Sequence, residues 1–477
     1  MKNTKVGFPK GVPYIIGSEL AERFSFFGMR SILSIFLVHQ FFNPHGLKTL
    51  DTIAEAKSNA YTHAFSCLLY FTPFLGAFLA DWYLGKYRVI LLGCIVYAFG
   101  HFILAASADS LTGFASGMMT IAFAAGVIKS CVSANVGDQF THSNQHLMSA
   151  AYGWFYFSIN FGGTIGILLI PVLYSRFGPA VSFGLPGLLM TLATLIFYLG
   201  RKNYIKVPPT GIKKANFITV SFFALKTLIT GNKSQTIWQH TETKYGSEKV
   251  DAVKAVYRVM AVFAFIPVFW AMWDMNQSEW ALQADKLNLN LGIAGIKLLA
   301  SQVQVAGAVF ILVMIPFCNY VLFPLLKKSG IKLSPLRKIG AGLFITALSF
   351  IIIAMLQTRI QNGFSPSVWW QILAYLLLSM AEVLVAVTGL EYAYTQSPPS
   401  VKSTMTAIWF LAYSIGTFFT TIININIAHQ GLFSYFTGDR YFYLFAGIMV
   451  FCFVIFLLVS PFIKEKAYLA DSLPESR

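Results

Sequence analysis

The sequence predicts an all-α membrane protein of twelve spans arranged as two six-helix bundles. Three observations carry this. Of 477 residues, 56% are hydrophobic and 11% are charged, against about 25% charged in an ordinary soluble domain. Apolar runs of about 20 residues, the length that crosses a bilayer's hydrocarbon core, recur along the chain. One long polar connection, 201–255, falls between the sixth and the seventh run.

The same figures exclude a disordered chain and a disulfide-rich secreted module. A net charge of +16 invites nucleic acid. The basic residues, however, sit in short segments between apolar runs, as in loops that stay on one side of a membrane, so no nucleic-acid partner is expected. Cys67, Cys94, Cys131, Cys318 and Cys452 lie in or beside apolar runs without metal-ligand spacing and read as packing residues, so no metal site or cofactor is expected. The first apolar run keeps charges inside it and follows no cleavable signal pattern, so it reads as a span.

The expected spans are 12–40, 59–80, 87–108, 112–134, 147–174, 181–200, 256–276, 299–326, 337–357, 367–395, 403–427 and 441–463. Turn signals punctuate them: Asn43 to Gly46, Arg176 to Pro179, Gly363 to Pro366, and Ser397 to Pro399. The division is an N-terminal bundle, 1–200, a linker, 201–255, and a C-terminal bundle, 256–477. Within the linker, 217–231 is apolar but too short to cross and is expected to lie along the interface. Twelve spans put 25 Lys and Arg on the side of the termini, 7 on the other and 3 within the membrane. Were 217–231 to span, the cluster Lys327, Lys328, Lys332, Arg337 and Lys338 would move outside, against the charge bias. Both termini are therefore expected in the cytoplasm. Two bundles joined by a long cytoplasmic loop suggest alternating access around a midplane site, with a channel or a membrane enzyme still open.

Charges inside spans carry the functional argument, because each costs at least about 2.5–3.5 kcal/mol near the bilayer centre. Glu19, Glu22, Arg23 and Arg30 share the first span. At about 100° per residue they fall in one arc of about 100°, which must face a cavity or the other bundle. Lys129, Asp274 and Glu382 lie in spans 4, 7 and 10, and His63 and Tyr70 share a face of span 2. The competing reading for each is a neutralised packing pair. Arg30 suits a bidentate carboxylate clamp, and Glu382, in the other bundle, suits an ammonium. A di- or tripeptide, at most about 7–11 Å long, would bridge them. Glu19 or Glu22, alternating between Arg23 and a drier setting, could bind and release a proton. Lys129 with Asp274 could form a pair between bundles that makes and breaks.

The segment 19–30, with Glu19, Glu22 and Arg23, resembles the ExxER motif of the proton-dependent oligopeptide transporter family of the major facilitator superfamily. Residues 76–88 (GAFLADWYLGKYR), 126–140 (GVIKSCVSANVGDQF), 155–163 (FYFSINFGG), 268–274 (VFWAMWD) and 381–398 are similar to further family segments, in the right order. The resemblance implies the major facilitator fold and symport of di- and tripeptides with protons. It implies peptide contacts at Arg30, Tyr70, Lys129, Asn160, Trp270 and Glu382, and proton coupling at Glu19, Glu22 and Arg23. His63 matches a functional histidine of animal members and is expected to share the proton coupling. Lys129 and Asp274 would form the inter-bundle pair. Asp81, Lys86 and Arg88 read as a cytoplasmic latch between helices.

There are departures. Phe26 and Phe27 replace two common tyrosines, Gly307 replaces an asparagine near the peptide's amino end, and Glu279 stands where animal relatives often carry arginine, with no role assigned. Other readings are a relative that moves nitrate or a drug-like metabolite, and a peptide sensor that does not transport. No enzyme is expected, since no nucleophile–base pair or nucleotide loop can be placed. The expectation is a monomer in a bacterial inner membrane, with H+ as coupling ion and no cofactor.

Overall fold

The computed structural model describes residues 8–47, 51–141, 143–209, 211, 217–230, 236–292, 295–331, 333–463, 466 and 468. Lys332 of the basic cluster lies outside them. The chain runs through α1 (Val12–Leu37), α2 (Asp51–Leu79), α3 (Lys86–Ala106), α4 (Leu111–Gly137) and α5 (Met148–Leu199), then the linker helices α6 (Phe217–Thr230) and α7 (Ile237–Tyr245). It continues through α8 (Ser247–Phe263), α9 (Ile266–Asp274), α10 (Glu279–Ala284), α11 (Val305–Phe317), α12 (Phe323–Lys328), α13 (Pro335–Gln361), α14 (Trp369–Glu382), α15 (Thr388–Thr395), α16 (Lys402–Ala428) and α17 (Asp439–Val459).

Among the described residues, ten helical segments are long and apolar enough to cross a membrane, and the bent pair Ser247–Phe263 and Ile266–Ala284 makes an eleventh. One of the ten, Gln145–Lys202, has 58 residues. At 1.5 Å per residue that is about 87 Å of helix, more than twice the roughly 30 Å core. It is two spans, broken at Gly178, whose φ of 76° and ψ of −175° a residue with a Cβ rarely adopts. Counted as two arms, it brings the total to the twelve expected spans. The seventh span is bent by 49° where α8 meets α9, at Pro267. It also runs from residue 247 to 284, beyond the expected 256–276, because its ends are polar helix that apolar composition does not mark.

Lipid tails are as apolar as leucine, so helices in a membrane associate through close packing, not through hydrophobic burial. The first and fifth spans show how. A Cβ on Gly162 or Gly166 would come 2.4 Å from the Leu20 or Phe24 carbonyl oxygen, so only glycine allows this approach. That crossing fixes the segment of α1 carrying Glu19, Glu22 and Arg23. The buried apolar residues form one cluster within 12–204 and a second centred on 252–456. A small third cluster of Val220, Val250 and Val253, with Phe217 and Trp238 against it, packs the linker helices onto α8. The 217–231 segment appears as α6, 14 residues long, about 21 Å at 1.5 Å per residue, too short to span.

An even number of crossings leaves both ends of the chain on one face. On the opposite face the two sets of six spans are joined. His39 meets Asp285 at 3.4 Å, Glu55 pairs with Lys286, and the Gln302 and Gln304 amides donate to the carbonyls of Leu168 (2.8 Å) and Ser31 (3.0 Å). Lys286, beyond the end of α10, loses solvation on burial, but the Glu55 carboxylate outweighs this and its pKa is raised.

Candidate functional site

The functional side chains fall into three groups along the seam between the two sets of spans. The first lies within α1. Arg23 Nε is 2.9 Å from Glu19 Oε1 and also contacts Glu22 Oε2, and all three residues are buried. The predicted arc of charge thus faces inward. One guanidinium stands between two carboxyls, so the group is neutral only when it also holds a proton.

The second group joins α1 and α2 to the seventh span. Arg30 is 1% exposed and its guanidinium is bonded to Asp274 Oδ1. Tyr413 donates to the same oxygen at 2.6 Å. His63, with no exposed surface, lies between two carboxyls: Nδ1 is 2.9 Å from Asp274 Oδ2 and Nε2 is 2.9 Å from Glu279 Oε1. Ser278 bonds Glu279 Oε2, and Tyr441 donates to Glu279 Oε1 at 2.8 Å. Glu279, which the sequence left without a role, is therefore a buried partner of His63.

In this conformation Lys129 and Asp274 are not paired. Both Asp274 oxygens are taken by Arg30, Tyr413 and His63. Lys129 Nζ instead lies 4.3 Å from the Tyr70 ring centroid and 5.7 Å from that of Phe26. Tyr70 stacks on Tyr413 at 3.6 Å, so an aromatic pair stands between the lysine and the aspartate. A planar, always charged guanidinium is the better partner for a saturated, buried carboxylate, while the lysine's single ammonium finds the negative faces of the rings. Phe26, one of the two departures, supplies one of those faces.

The third group lines a cavity of about 240 Å³ between the two sets of spans. Its walls include Phe27, Tyr156, Asn160, Trp273, Gln304 and Glu382. Trp273 Nε1 donates to Glu382 Oε2 at 2.9 Å, fixing the carboxylate, and Asn160 spends its amide N–H on the Tyr156 carbonyl at 2.9 Å. Gly307 lies in the wall close to Tyr375. Of the six expected contact residues, only Asn160 and Glu382 line this cavity. Arg30 is engaged in the second group, and Tyr70 and Lys129 face each other. Trp270 is 7% exposed and packs behind the wall, 4.6 Å from the Tyr413 ring and 5.5 Å from Trp273. Trp273, three residues on and so on the same helical face, is the tryptophan in the wall. That spacing was the available signal for it.

Of the three residues of the expected latch, Lys86 has an ion pair between helices. Lys86 pairs at 2.7 Å with Asp138, at the end of α4, which ties α3 to α4. Asp81 and Arg88 are exposed, and the Asp81 carbonyl accepts from Gly211 N at 3.2 Å. Among the described residues, no cluster of His, Cys, Asp and Glu has the arrangement to hold a metal ion.

The family model described as the POT family matches residues 87–431. The chain is 34% identical over 409 residues to human solute carrier family 15 member 2, covering 80% of this chain and 54% of that protein. It is 33% identical over 381 residues to peptide transporter 3 of Caenorhabditis elegans, covering 76% and 52%. The chain thus spans about half the length of the curated relatives it matches. A crystal structure of the POT family transporter PepTSo superposes with a TM-score of 0.85 at 32% identity, over 96% of this chain and 99% of that one. Segments from α3 to α16 match the family model, the whole fold matches a member, and the chain belongs to the POT family of multi-pass membrane transporters.

Proposed function

We propose that this chain is a symporter that imports di- and tripeptides with protons by alternating access, and is not an enzyme. The observation that carries the reading is the cavity between the two sets of spans. It sits beneath a face closed by charge pairs that join them, and it holds an oriented carboxylate, Glu382, from one side of the seam. That carboxylate suits a peptide's ammonium. Arg30, with Lys129 and Tyr70 behind it, suits the carboxyl end once Asp274 lets go. Relatives described as peptide transporters support the same substrate class.

In this reading 1–200 and 256–477 rock against each other about the cavity, and 201–255 links them on the cytoplasmic side. The charge bias of 25 against 7 places the termini in the cytoplasm, and the short loops favour a bacterial inner membrane. The closed face is then the outer one, and the structure faces inward. The protein acts as a monomer without a cofactor, and H+ is the coupling ion. The shared guanidinium of Arg23 makes Glu19 and Glu22 the carriers of a transported proton. When it leaves, the cluster gains a buried charge that favours rearrangement.

The test is uptake of labelled dialanine into proteoliposomes, with and without an inward proton gradient. Accumulation that needs the gradient and is lost in Glu22→Gln, with gradient-free counterflow kept, supports the proposal. No uptake by folded, inserted protein points to another small anion or zwitterion, or to a sensor. Counterflow without any proton drive keeps the peptide site and removes the coupling role.

A further inference from the structure

We propose that Glu279 is a proton-binding residue of the outer gate, which closes only with one proton held between His63 Nε2 and the Glu279 carboxyl. The inference rests on the proton-coupled reading above, in which His63 is already expected to carry a proton, and adds Glu279 as the group that shares it.

The argument is one of hydrogen-bond count. A neutral imidazole has one N–H and one lone pair. His63 places both nitrogens 2.9 Å from carboxyl oxygens of two different residues. A lone pair facing an ionised carboxylate repels it, so the trio of His63, Asp274 and Glu279 holds one proton beyond the neutral imidazole's own. Asp274 is not its seat: the Arg30 guanidinium and the Tyr413 hydroxyl both donate to Oδ1, which keeps that carboxyl ionised. The proton therefore lies on the bond between His63 and Glu279, as an imidazolium against a carboxylate or as an imidazole against a carboxylic acid. Charge gives the same answer. Arg30 balances Asp274, and the added proton balances Glu279. Without it a buried cluster carries a net negative charge in an apolar medium.

The other groups that face Glu279 do not supply that balance. Ser278 and Tyr441 give neutral hydroxyls. Cys67, on the same helix as His63, is within hydrogen-bonding reach of Ser414. Glu55 and Lys286 neutralise each other in direct contact, and both line a small cavity of about 50 Å³ that Glu279 also lines, with Asn59 and Asn424. That volume admits a few water molecules and lies between the pair and Glu279, a route for a proton from the outer side. The buried Asn59 Oδ1 has no hydrogen-bond partner, and Asn59 is in the lining of this cavity.

His63 and Arg30 come from α2 and α1, and both carboxylates come from the seventh span. Opening the outer side separates them into water, where neither His63 nor Glu279 needs the extra proton. On closing, a hydronium ion gives its proton to the His63–Glu279 pair and leaves as water. On opening, the proton returns to water. Closure is therefore favoured by acid on the outer side.

The experiment measures the distance between nitroxides on cysteines placed at His45 and Asn362, exposed at the outer ends of the two bundles, in otherwise cysteine-free protein in nanodiscs. It is repeated from about pH 5 to pH 8, the range in which a histidine-linked site titrates. Across its titration range the ratio of closed to open protein is expected to fall tenfold per pH unit. In Glu279→Gln the ratio is expected to stay flat across the same range, because the carboxamide can donate to a neutral His63 and the cluster balances without the proton. Glu279→Asp keeps a titrating carboxyl and is expected to keep the slope. A wild-type ratio that ignores pH, or a slope unchanged in Glu279→Gln, overturns the proposal. The wild-type arm decides the matter if the glutamine variant does not fold. Failure here with dialanine accumulation intact removes only the gate proton, whereas a wild type that accumulates no dialanine removes the transport reading itself.

Discussion

Glu382→Gln separates recognition of the amino end from every other role of the cavity. The substitution keeps the size of the side chain and an oxygen that can accept from Trp273 Nε1, now at 2.9 Å from Oε2. Only the charge is lost. A hydrogen bond to a charged group contributes about 1.5–3 kcal/mol. At about 1.4 kcal/mol per factor of ten, the half-inhibitory concentration of a free dipeptide should rise by roughly 10- to 150-fold. N-acetyl-dialanine has no ammonium for the carboxylate to hold, so its constant should move by less than about threefold, well under 1 kcal/mol. The assay is inhibition of labelled dialanine counterflow, which needs no proton gradient. Wild type and variant are each titrated with dialanine and its acetylated form. The ratio of the two constants cancels any loss of active protein. An unchanged ratio, or an equal weakening of both peptides, would refute the assignment of Glu382 to the amino end.

Trp273→Phe keeps the cavity wall but frees Glu382 from its donor. Free dipeptides should weaken by about 3- to 10-fold, about 0.7–1.4 kcal/mol, since the carboxylate keeps its charge and loses only its orientation, read in the same titration. Gly162→Val puts a side chain against the Leu20 carbonyl, 2.4 Å from its Cβ, and should destabilise by about 1–3 kcal/mol in detergent thermal unfolding. Gly153→Ala, on the same helix with open space around it, should change stability little or raise it, by up to about 1 kcal/mol. Lys286→Ala should shift the closed–open balance by less than about 1 kcal/mol, since the pair is partly exposed. The raised pKa of Lys286 sets the sign of its pH dependence: its contribution is complete below the free lysine value of about 10.4 and is lost only as pH climbs through the higher folded value. Its part in closure should thus be flat between about pH 6 and 9, which nitroxide distances in Lys286→Ala and wild type would show.

Hydropathy made the spans legible, because apolar length is a local property of the chain. The bend at Pro267, the break at Gly178 and the short helix at Phe217–Thr230 were each marked by residues within a few positions. The inward face of Glu19, Glu22, Arg23 and Arg30 followed from helical periodicity alone. Partner choice was not legible. Arg30 and Asp274 are 244 residues apart, and His63 and Glu279 are 216 apart. Which cation meets which anion depends on how one set of spans is rotated against the other, and no local pattern encodes that. Asp138 was hidden as the partner of Lys86 for a related reason within one set of spans: the two are 52 residues apart and meet only through the packing of α3 on α4. Trp273 was masked by Trp270, since two aromatic residues on one helical face differ only in their height along the seam.

The charge pairs of the closed face form a graded series. His39 and Asp285 are 53% and 44% exposed, Lys286 and Glu55 are 33% and 25%, and Arg30 and Asp274 are almost fully enclosed. Exposed pairs contribute under about 1 kcal/mol and are screened by salt, whereas breaking an enclosed pair costs about 3–5 kcal/mol. The lip of the seam can therefore fray and re-form with little consequence, and its cost is concentrated at the innermost rung. Such a seam yields late and all at once, like a zip fastener whose last tooth carries the load. Ions in the outer medium reach only the teeth that matter least, so the protein's readiness to open should be nearly independent of ionic strength.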